Sequence, residues 1–235
     1  MTHNLVINPK SKLGNGINAV MFTKTYFKEH APDYEELPLE KILASELGLP
    51  IIWLEQVHGT RVKEVFKNRP NLIKACDGLY TNKKNIGLAV KTADCLPLVI
   101  SSRDGKELSV LHVGWRGLHQ GIVENSISNF KCTKKNLIAW LAPCISSKNY
   151  EVGEDVYSLF VSEDNESISS FVTTSQDNKW LFSLKEESTR RLRKFGVKVI
   201  SESFCTFEDE DSFYSYRKNF CSGRMVTLAW RSDEK

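Results

Sequence analysis

The 235-residue sequence predicts a mixed α/β fold in a single domain, residues 1–235. Short apolar runs bounded by turn residues indicate strands, and apolar residues repeated at intervals of three and four indicate helices. The two patterns are interspersed along the chain, which is typical of α/β proteins. No internal repeat, linker or low-complexity block divides the sequence, so one domain is expected.

The first elements are a predicted strand at residues 17–22 and a predicted helix at residues 38–47. The helix has a proline near its first turn, and Gly48 follows it as a stop signal. Two further β runs are predicted in this half of the chain, at residues 61–66 and 86–90.

A longer strand is predicted at residues 51–59. Period-two alternation places Gln56 and His58 on the face that carries Ile52 and Leu54. An imidazole and a carboxamide are therefore expected to leave the same strand end together, which makes both candidates for a site.

A β-hairpin is predicted from two apolar runs, residues 98–100 and 108–111, separated by a turn that contains Asp104-Gly105. Cys95 precedes the first strand and His112 ends the second. If the two loop residues are Arg103 and Asp104, Cys95 lies opposite His112. If they are Asp104 and Gly105, the two are diagonal neighbours.

Either register puts the thiol and the imidazole on one face, within reach of one metal ion or one hydrogen bond. A three-residue loop would place them on opposite faces. Pro97 fits a strand only as its first residue or at an edge, so the chain is expected to turn at Asp94-Cys95.

The second half of the chain continues the mixed pattern. A helix is predicted after Gly117, at residues 122–130, and the segment joining it to the hairpin is a location where backbone N–H groups bind anions. Ser183 and Glu186 form a capping box that begins a helix ending near Gly196. The other predicted elements are a strand at 136–142, a short helix ending at 160, a surface loop at 162–179 with one β piece at 171–172, and strands at 197–201 and 225–230.

Composition excludes several classes of protein. The 32 basic and 29 acidic side chains leave a formal net charge of only +3, and without a basic block or an aromatic RNA-binding motif nucleic acid is not an expected partner. No signal-peptide pattern begins the chain and no 18-residue apolar run occurs, so a cytoplasmic protein that does not enter the membrane is expected. The six cysteines show no C-x-x-C spacing, which favours buried thiols over a disulfide framework or a zinc finger.

Six ordered motifs resemble the laccase-domain family, the bacterial purine nucleoside phosphorylases once called multicopper polyphenol oxidases. The resemblance spans about residues 17–230. The motifs are Q-V-H-G at 56–59, C-D-G-L-Y-T at 76–81, A-D-C-L-P-L at 93–98, H-V-G-W-R-G at 112–117, A-P-C-I at 142–145 with Y-E-V at 150–152, and F-Y-S-Y-R at 213–217.

The resemblance implies a four-layer α/β/β/α sandwich with mixed sheets, and a zinc ion held by His58, Cys95 and His112. It also implies phosphorolysis of adenosine, inosine and methylthioadenosine, with some adenosine deamination. Cys76 and Val113 replace the alanines usual in two of the motifs, and neither change affects a ligand. Ser183 stands where the family often has an aspartate, which leaves any role of that carboxylate unfilled here.

Two imidazoles and one thiolate suit Zn²⁺ and leave a fourth position for water or substrate, as in catalytic sites. The catalytic residues are therefore expected to be Cys95, His58 and His112, with Asp94 as an acid or base. The alternative is that both histidines are satisfied core residues and Cys95 is a small apolar filler.

Phosphorolysis requires a held phosphate, and arginine suits bidentate binding of phosphate. Arg116 and Arg217 are the candidates, although each could form a structural salt bridge instead. Gln56 is a candidate hydrogen-bonding residue for the substrate. Asp77, like Asp94, could act as an acid or base, but aspartates in such turns more often cap backbone groups. Lys91, Cys76 and Cys144 are candidate pocket residues without assigned roles.

Other functions remain open from sequence alone. Zinc would equally serve hydrolysis of an amide in a peptidoglycan precursor, and Cys95 with His112 as base could do so without metal. A metal-stabilised binding protein is a third hypothesis. A true multicopper oxidase is disfavoured because the chain has only five histidines, although one copper ion could substitute at a His₂Cys site. Nucleoside and phosphate are the expected partners, and the oligomeric state is not determined.

Overall fold

A computed structural model describes residues 5–30, 39–66, 71–220 and 223–232, without the side chains of residues 39–41. Among these residues the helices are α1 Lys24–His30, α2 Leu39–Leu47, α3 Trp115–His119, α4 Ile122–Asn129, α5 Glu154–Glu163, α6 Leu184–Lys194 and α7 Tyr216–Asn219. The strands are β1 Val6–Ile7, β2 Ile17–Phe22, β3 Ile51–Leu54, β4 Val62–Glu64, β5 Leu72–Ile73, β6 Gly78–Thr81, β7 Gly87–Thr92, β8 Leu96–Ser102, β9 Leu108–Val113, β10 Leu137–Leu141, β11 Glu151–Gly153, β12 Phe171–Thr173, β13 Lys179–Phe182, β14 Lys198–Ser201 and β15 Met225–Arg231. Short 3₁₀ segments occupy Lys134–Asn136, Ser147–Asn149 and Asn165–Ser170.

Two six-stranded mixed sheets form the centre of the fold. The first has the order β1-β2-β15-β7-β3-β5, in which β3 runs parallel to both of its neighbours and the other pairs are antiparallel. The second has the order β14-β10-β8-β9-β6-β4, with parallel pairs at its two edges. A small sheet, β11-β13-β12, lies beside the second sheet.

Three apolar clusters separate the layers. The middle cluster lies between the two large sheets and contains Leu88 and Val90 of β7 together with Val110 of β9 and Trp140 of β10. A second cluster packs α3 to α6 on the outer face of the second sheet, and a third packs α1 and α2 on the outer face of the first. The protein is thus a four-layer α/β/β/α sandwich, as the family resemblance implied.

The predicted hairpin is confirmed, and its register follows the second alternative. Leu96 pairs with Val113 and Pro97 with His112, so Cys95 is a diagonal neighbour of His112 on the same face. The loop is longer than predicted, because it spans four residues, 103–106, and the even count preserves the face. Pro97 is the second residue of a central strand rather than the first residue or an edge residue.

Several boundaries differ from the predictions. The strand predicted at residues 51–59 ends at Leu54, and His58 has a left-handed backbone with φ 59°, so strand alternation does not orient its side chain. Helix α1 and strand β13 were not predicted. Helix α1 is short, and β13 begins at Lys179, where the predicted surface loop ends. The predicted start of α2 at Pro38 falls outside the described residues.

None of the helices in the described segments is long and apolar enough to cross a bilayer.

The capping box at α6 provides a test of the local structure. Ser183 Oγ accepts a hydrogen bond from the Glu186 amide at 3.1 Å. Ser183→Ala should lower the free energy of unfolding by about 1 kcal/mol, the usual value of an N-cap, in urea denaturation. Ser183→Asp keeps an acceptor and should leave the stability close to that of the parent. An equal loss in both variants would contradict the capping role.

Candidate metal centre

Three side chains from separate parts of the chain converge at one end of the two sheets. The ligand atoms offered by His58, Cys95 and His112 all lie within 4.8 Å of one another. Cys95 Sγ is 3.9 Å from His58 Nε2, and the two imidazole rings meet edge-on with centroids 4.7 Å apart. His58 is exposed, Cys95 is half-buried and His112 is buried, so the cluster opens to solvent on one side.

The carboxylate of Asp77 positions His58. It accepts hydrogen bonds from three consecutive backbone amides, Val57 at 3.2 Å, His58 at 2.9 Å and Gly59 at 2.8 Å. These bonds satisfy a loop that has left the sheet and hold His58 in its left-handed conformation. Asp77 itself is fully buried, directly before strand β6. Its predicted alternative role, capping backbone groups in a turn, is therefore confirmed.

The same carboxylate also orients His112. Asp77 Oδ1 lies 2.8 Å from His112 Nδ1, which leaves Nε2 to face the site. Burial alone would raise the pKa of the Asp77 carboxyl, but hydrogen bonds from His112 and from the amides of Gly59 and Val57 hold it below its usual value. A carboxylate behind a ligating imidazole is the usual outer support of a metal-binding histidine.

Gly114 lies across the hairpin from Cys95 and has no room for a side chain. A Cβ atom there would stand 2.8 Å from His58 Cδ2 and 3.4 Å from Cys95 Sγ. The glycine thus lets the His58 loop approach the hairpin. Gly117 serves the same approach, because a Cβ atom at that position would lie 2.6 Å from the carbonyl oxygen of Gly59.

The Cys95 thiol has the character of a thiolate. Desolvation would raise its pKa, but the charge of His112 and hydrogen bonds from His112 and His58 lower it to about 6. For His112, desolvation alone would lower the pKa, because it disfavours the charged imidazolium. The negative charge of Cys95 and the hydrogen bond with Asp77 outweigh this effect and raise the pKa to about 9. Each group thus favours the charged form of the other, the thiolate of Cys95 and the imidazolium of His112.

The donor set fits a divalent zinc ion. Zinc takes thiolate at about 2.3 Å and imidazole nitrogen at about 2.05 Å, so sulfur and nitrogen ligands stand about 3.6 Å apart in a tetrahedron. The 3.9 Å between Cys95 Sγ and His58 Nε2 is close to that separation. Three protein ligands with one open side match catalytic rather than structural zinc sites.

Asp94 connects the metal cluster to helix α7. Its buried carboxylate accepts hydrogen bonds from Thr206 Oγ1 at 2.7 Å, from Ser215 Oγ at 3.0 Å and from the Arg217 amide at 2.6 Å. Asp94 has φ 87°, an unfavourable conformation for a residue with a side chain, and these bonds hold it there. Since Ser215 also caps α7, one carboxylate fixes both the turn before Cys95 and the helix that carries Tyr216 and Arg217.

Two cavities meet at the cluster and share His58, Ala93, Cys95, Arg116 and Tyr216. The aromatic cavity, about 230 Å³, is also lined by Trp115, Ile145, Tyr150, Leu184 and Arg217. The cationic cavity, about 620 Å³, is also lined by Gln56, Lys91, Thr92 and Arg224. Burial raises the pKa of Tyr150, so its phenol is neutral.

The structure places the other predicted site residues as follows. Arg116 is exposed, stacks on Trp115 with its guanidinium carbon 4.5 Å from the ring centroid, and borders both cavities. Arg217 stands 5.1 Å over the Tyr150 ring and donates to the Glu151 carbonyl at 3.1 Å. Gln56 lines the cationic cavity, but its amide makes two hydrogen bonds with the backbone of Lys91.

The other cysteines that the structure describes do not line the two cavities. Cys76 is buried and donates to the carbonyls of Arg61 and Gly78, and burial raises the pKa of Cys144 to about 12. Sequence reasoning gave no individual role to Tyr150, Tyr216 or Thr92, and it overlooked Arg224. The two tyrosines lie in quoted motifs, whereas Thr92 and Arg224 carry no motif signal.

Comparison with known proteins gives a consistent result. The family model described as multi-copper polyphenol oxidoreductase laccase matches residues 37–232. The purine nucleoside phosphorylase YfiH of Escherichia coli is 34% identical over 203 residues, which cover 85% of this chain and 82% of that protein. The purine nucleoside phosphorylase of Haemophilus influenzae is 35% identical over 193 residues, 80% of this chain and 78% of that one. The crystal structure of Neisseria meningitidis NMB0706 superposes with a TM-score of 0.89 at 27% identity, covering 98% of this chain and all of that chain.

The acidity of Cys95 can be measured in the metal-free protein. Alkylation by iodoacetamide requires the thiolate, so its rate should rise through pH about 6 and level off above it. Cys132 is an internal control, because desolvation and Glu107 raise its pKa to about 11 and it should stay unmodified at pH 7. Peptide mass spectrometry distinguishes the two thiols. A Cys95 midpoint at about 8.5, the ordinary value of a thiol, would contradict the ion pair.

Removing the charge of Asp77 should weaken metal binding. In Asp77→Asn one carboxylate oxygen becomes an NH₂ group, which cannot accept from the backbone amides of the His58 loop. Zinc affinity, measured by competition with a chromophoric chelator, should fall about 10- to 100-fold, as for other outer supports of metal ligands. Asp177→Asn, an exposed aspartate in a turn, is the matched control and should bind zinc like the parent. Equal affinities in the two variants would refute the positioning role.

Proposed function

Since this chain belongs to the multi-copper polyphenol oxidoreductase laccase family, we propose that it is a purine nucleoside phosphorylase, the activity for which its curated relatives are named. The observation that carries the proposal is the meeting of two cavities at His58, Cys95 and Arg116. Transfer of a ribosyl group from base to phosphate needs two compartments that join at the reacting carbon. The arrangement of the cavities supplies them.

In the proposed reaction an oxygen of dihydrogen phosphate forms a bond to C1′ of the ribose while the bond from C1′ to the base nitrogen breaks. The electron pair of the broken bond stays on the base, which takes up the phosphate proton. The products are ribose 1-phosphate and the free base, so no further reactant is required. The protein contributes by holding both substrates in line and by stabilising charge.

We propose that His58, Cys95 and His112 hold zinc, with copper as a substitute metal. When bound, the ion would supply Lewis-acid polarisation of an oxygen or nitrogen of the substrate. Asp77 orients His112 and the loop of His58, and Gly114 leaves them space. The side chains thus fix the centre before substrate arrives.

Asp94 is best assigned a positioning role. Three hydrogen bonds to its carboxylate, from Thr206, Ser215 and the Arg217 amide, engage both oxygens in holding the structure around Cys95. Gln56 acts similarly by fixing the backbone of Lys91. The catalytic groups proper are therefore proposed to be the three ligands, with Arg116 at the junction of the cavities.

The proposed substrates are adenosine, inosine and methylthioadenosine, with adenosine deamination as an accompanying activity, all within one laccase-type domain. A multicopper oxidase is disfavoured by the geometry. Among the described residues only His58, Cys95 and His112 form a cluster of three metal-binding side chains. His30 and His119 contact the carbonyls of Tyr26 and Leu159 instead.

One observation favours a second candidate. The Cys95 thiolate next to His112 resembles the nucleophile and base of cysteine hydrolases, which would serve amide hydrolysis in a peptidoglycan precursor. This activity would survive removal of metal and would leave a covalent adduct on Cys95.

The phosphorylase is tested by mixing the protein with adenosine or inosine, with and without phosphate, and measuring free base by chromatography. Release should depend on phosphate and should fall at least about 1,000-fold in Cys95→Ala, because one metal ligand and its charge are lost. Cys132→Ala, at a half-buried thiol outside both cavities, is the matched control and should keep full activity.

Base released equally without phosphate would refute phosphorolysis. Activity that persists after chelation, with an amide substrate and an adduct on Cys95, would establish the hydrolase instead. Circular dichroism of each variant separates loss of activity from loss of fold.

A further inference from the structure

We infer that inorganic phosphate binds in the cationic cavity, on Thr92, Arg224 and Arg116, and that the purine base occupies the aromatic cavity. The inference rests on the proposed phosphorylase function and assigns the two substrates of that reaction to the two cavities. It also removes Arg217, one of the two arginines expected from sequence, from the phosphate site.

Charge distinguishes the two cavities. Among the described residues, the lining of the cationic cavity includes the guanidinium groups of Arg116 and Arg224 and no carboxylate. The lining of the aromatic cavity includes Arg116 and Arg217 but also the Asp94 carboxylate. A phosphate ion is repelled by a carboxylate and forms charge-assisted hydrogen bonds with guanidinium groups, so the cationic cavity is the more favourable of the two.

The buried hydroxyl of Thr92 independently indicates a ligand in the cationic cavity. It is 2% exposed, and its hydroxyl oxygen has no hydrogen-bond partner within the described part of the chain. Buried hydroxyls are normally paired, and leaving one unpaired costs free energy. Thr92 lines the cationic cavity, where a phosphate oxygen would provide the acceptor that its hydroxyl lacks.

The backbone brings these groups together on a rigid scaffold. Thr92 ends strand β7 and pairs with Met225, the first residue of β15. Arg224 directly precedes Met225, so it stands beside the end of β7. Two hydrogen bonds between the Gln56 amide and the backbone of Lys91 fix the strand end next to Thr92. Groups on strand ends lose little entropy when a ligand binds, which favours a built site.

The aromatic cavity suits the base for complementary reasons. Trp115, Tyr150 and Tyr216 present ring faces, and stacking on such rings is the common way to hold a nucleobase. Arg217 lies over the Tyr150 ring and donates to the Glu151 carbonyl, and these contacts hold its guanidinium in the aromatic cavity. Base and phosphate would then approach C1′ from opposite sides, as the displacement requires.

Steady-state kinetics with both substrates varied tests the assignment. Thr92→Val and Arg224→Gln should each raise the KM for phosphate. The increase for Arg224→Gln should be about 10- to 100-fold, the usual factor for a lost charge-assisted hydrogen bond. Their KM for inosine should change less than about threefold. Arg217→Gln should show the reverse pattern. Arg193→Gln, an exposed arginine of α6, is the matched control and should change neither constant.

Titration of inorganic phosphate alone by calorimetry gives a readout without turnover. The parent and Arg217→Gln should bind phosphate, and Arg224→Gln should bind it at least about tenfold more weakly. If the parent releases no base, the phosphorylase proposal fails while this titration still decides the site. Absence of phosphate binding in the parent, or a phosphate KM raised by Arg217→Gln and unchanged in Arg224→Gln, would overturn the inference.

Discussion

The buried carboxylate of Asp77 is the interaction on which the site depends. It binds three consecutive amides of the His58 loop and the ring of His112, so one side chain sets the relative position of two imidazoles from distant parts of the chain. A buried charge is tolerated only when its hydrogen-bonding capacity is filled, and here four donors fill it. The free-energy cost of burying the Asp77 charge is thereby offset. The offset requires the His58 loop and His112 to lie where both contact the same carboxylate.

Asp94 performs a parallel task on the opposite side of Cys95. Its contacts with Thr206, Ser215 and the Arg217 amide attach the C-terminal part of the chain to the turn that presents the thiol. The two aspartates flank the candidate metal centre, and each carboxylate accepts hydrogen bonds on both oxygens. In the proposed mechanism these two carboxylates therefore serve as supports, and the chemistry is assigned to the three ligands and Arg116.

The sandwich explains why the site lies where it does. Cys95 and His112 flank the hairpin of the second sheet, while Thr92 and Arg224 stand at the ends of β7 and β15 in the first. The cationic cavity thus forms where the two sheets meet at one end, above the middle apolar cluster. The core contacts of each sheet hold the groups at the strand ends, and Asp77 fixes the His58 loop beside them.

Much of this protein follows from local sequence, and the remainder depends on contacts between distant residues. Strand β2, the hairpin of β8 and β9, and the capped helix α6 were predictable because periodicity and turn chemistry act over a few residues. The ordered motifs indicated the ligand trio and the layered fold. Only the tertiary structure decided that His58 leaves the sheet in a left-handed turn, that Arg217 is engaged by Tyr150 and Glu151, and that Thr92 and Arg224 share a cavity. Those outcomes depend on contacts between backbone amides, rings and charged groups that are about 20 to 130 residues apart in the chain. No local sequence pattern encodes such long-range contacts.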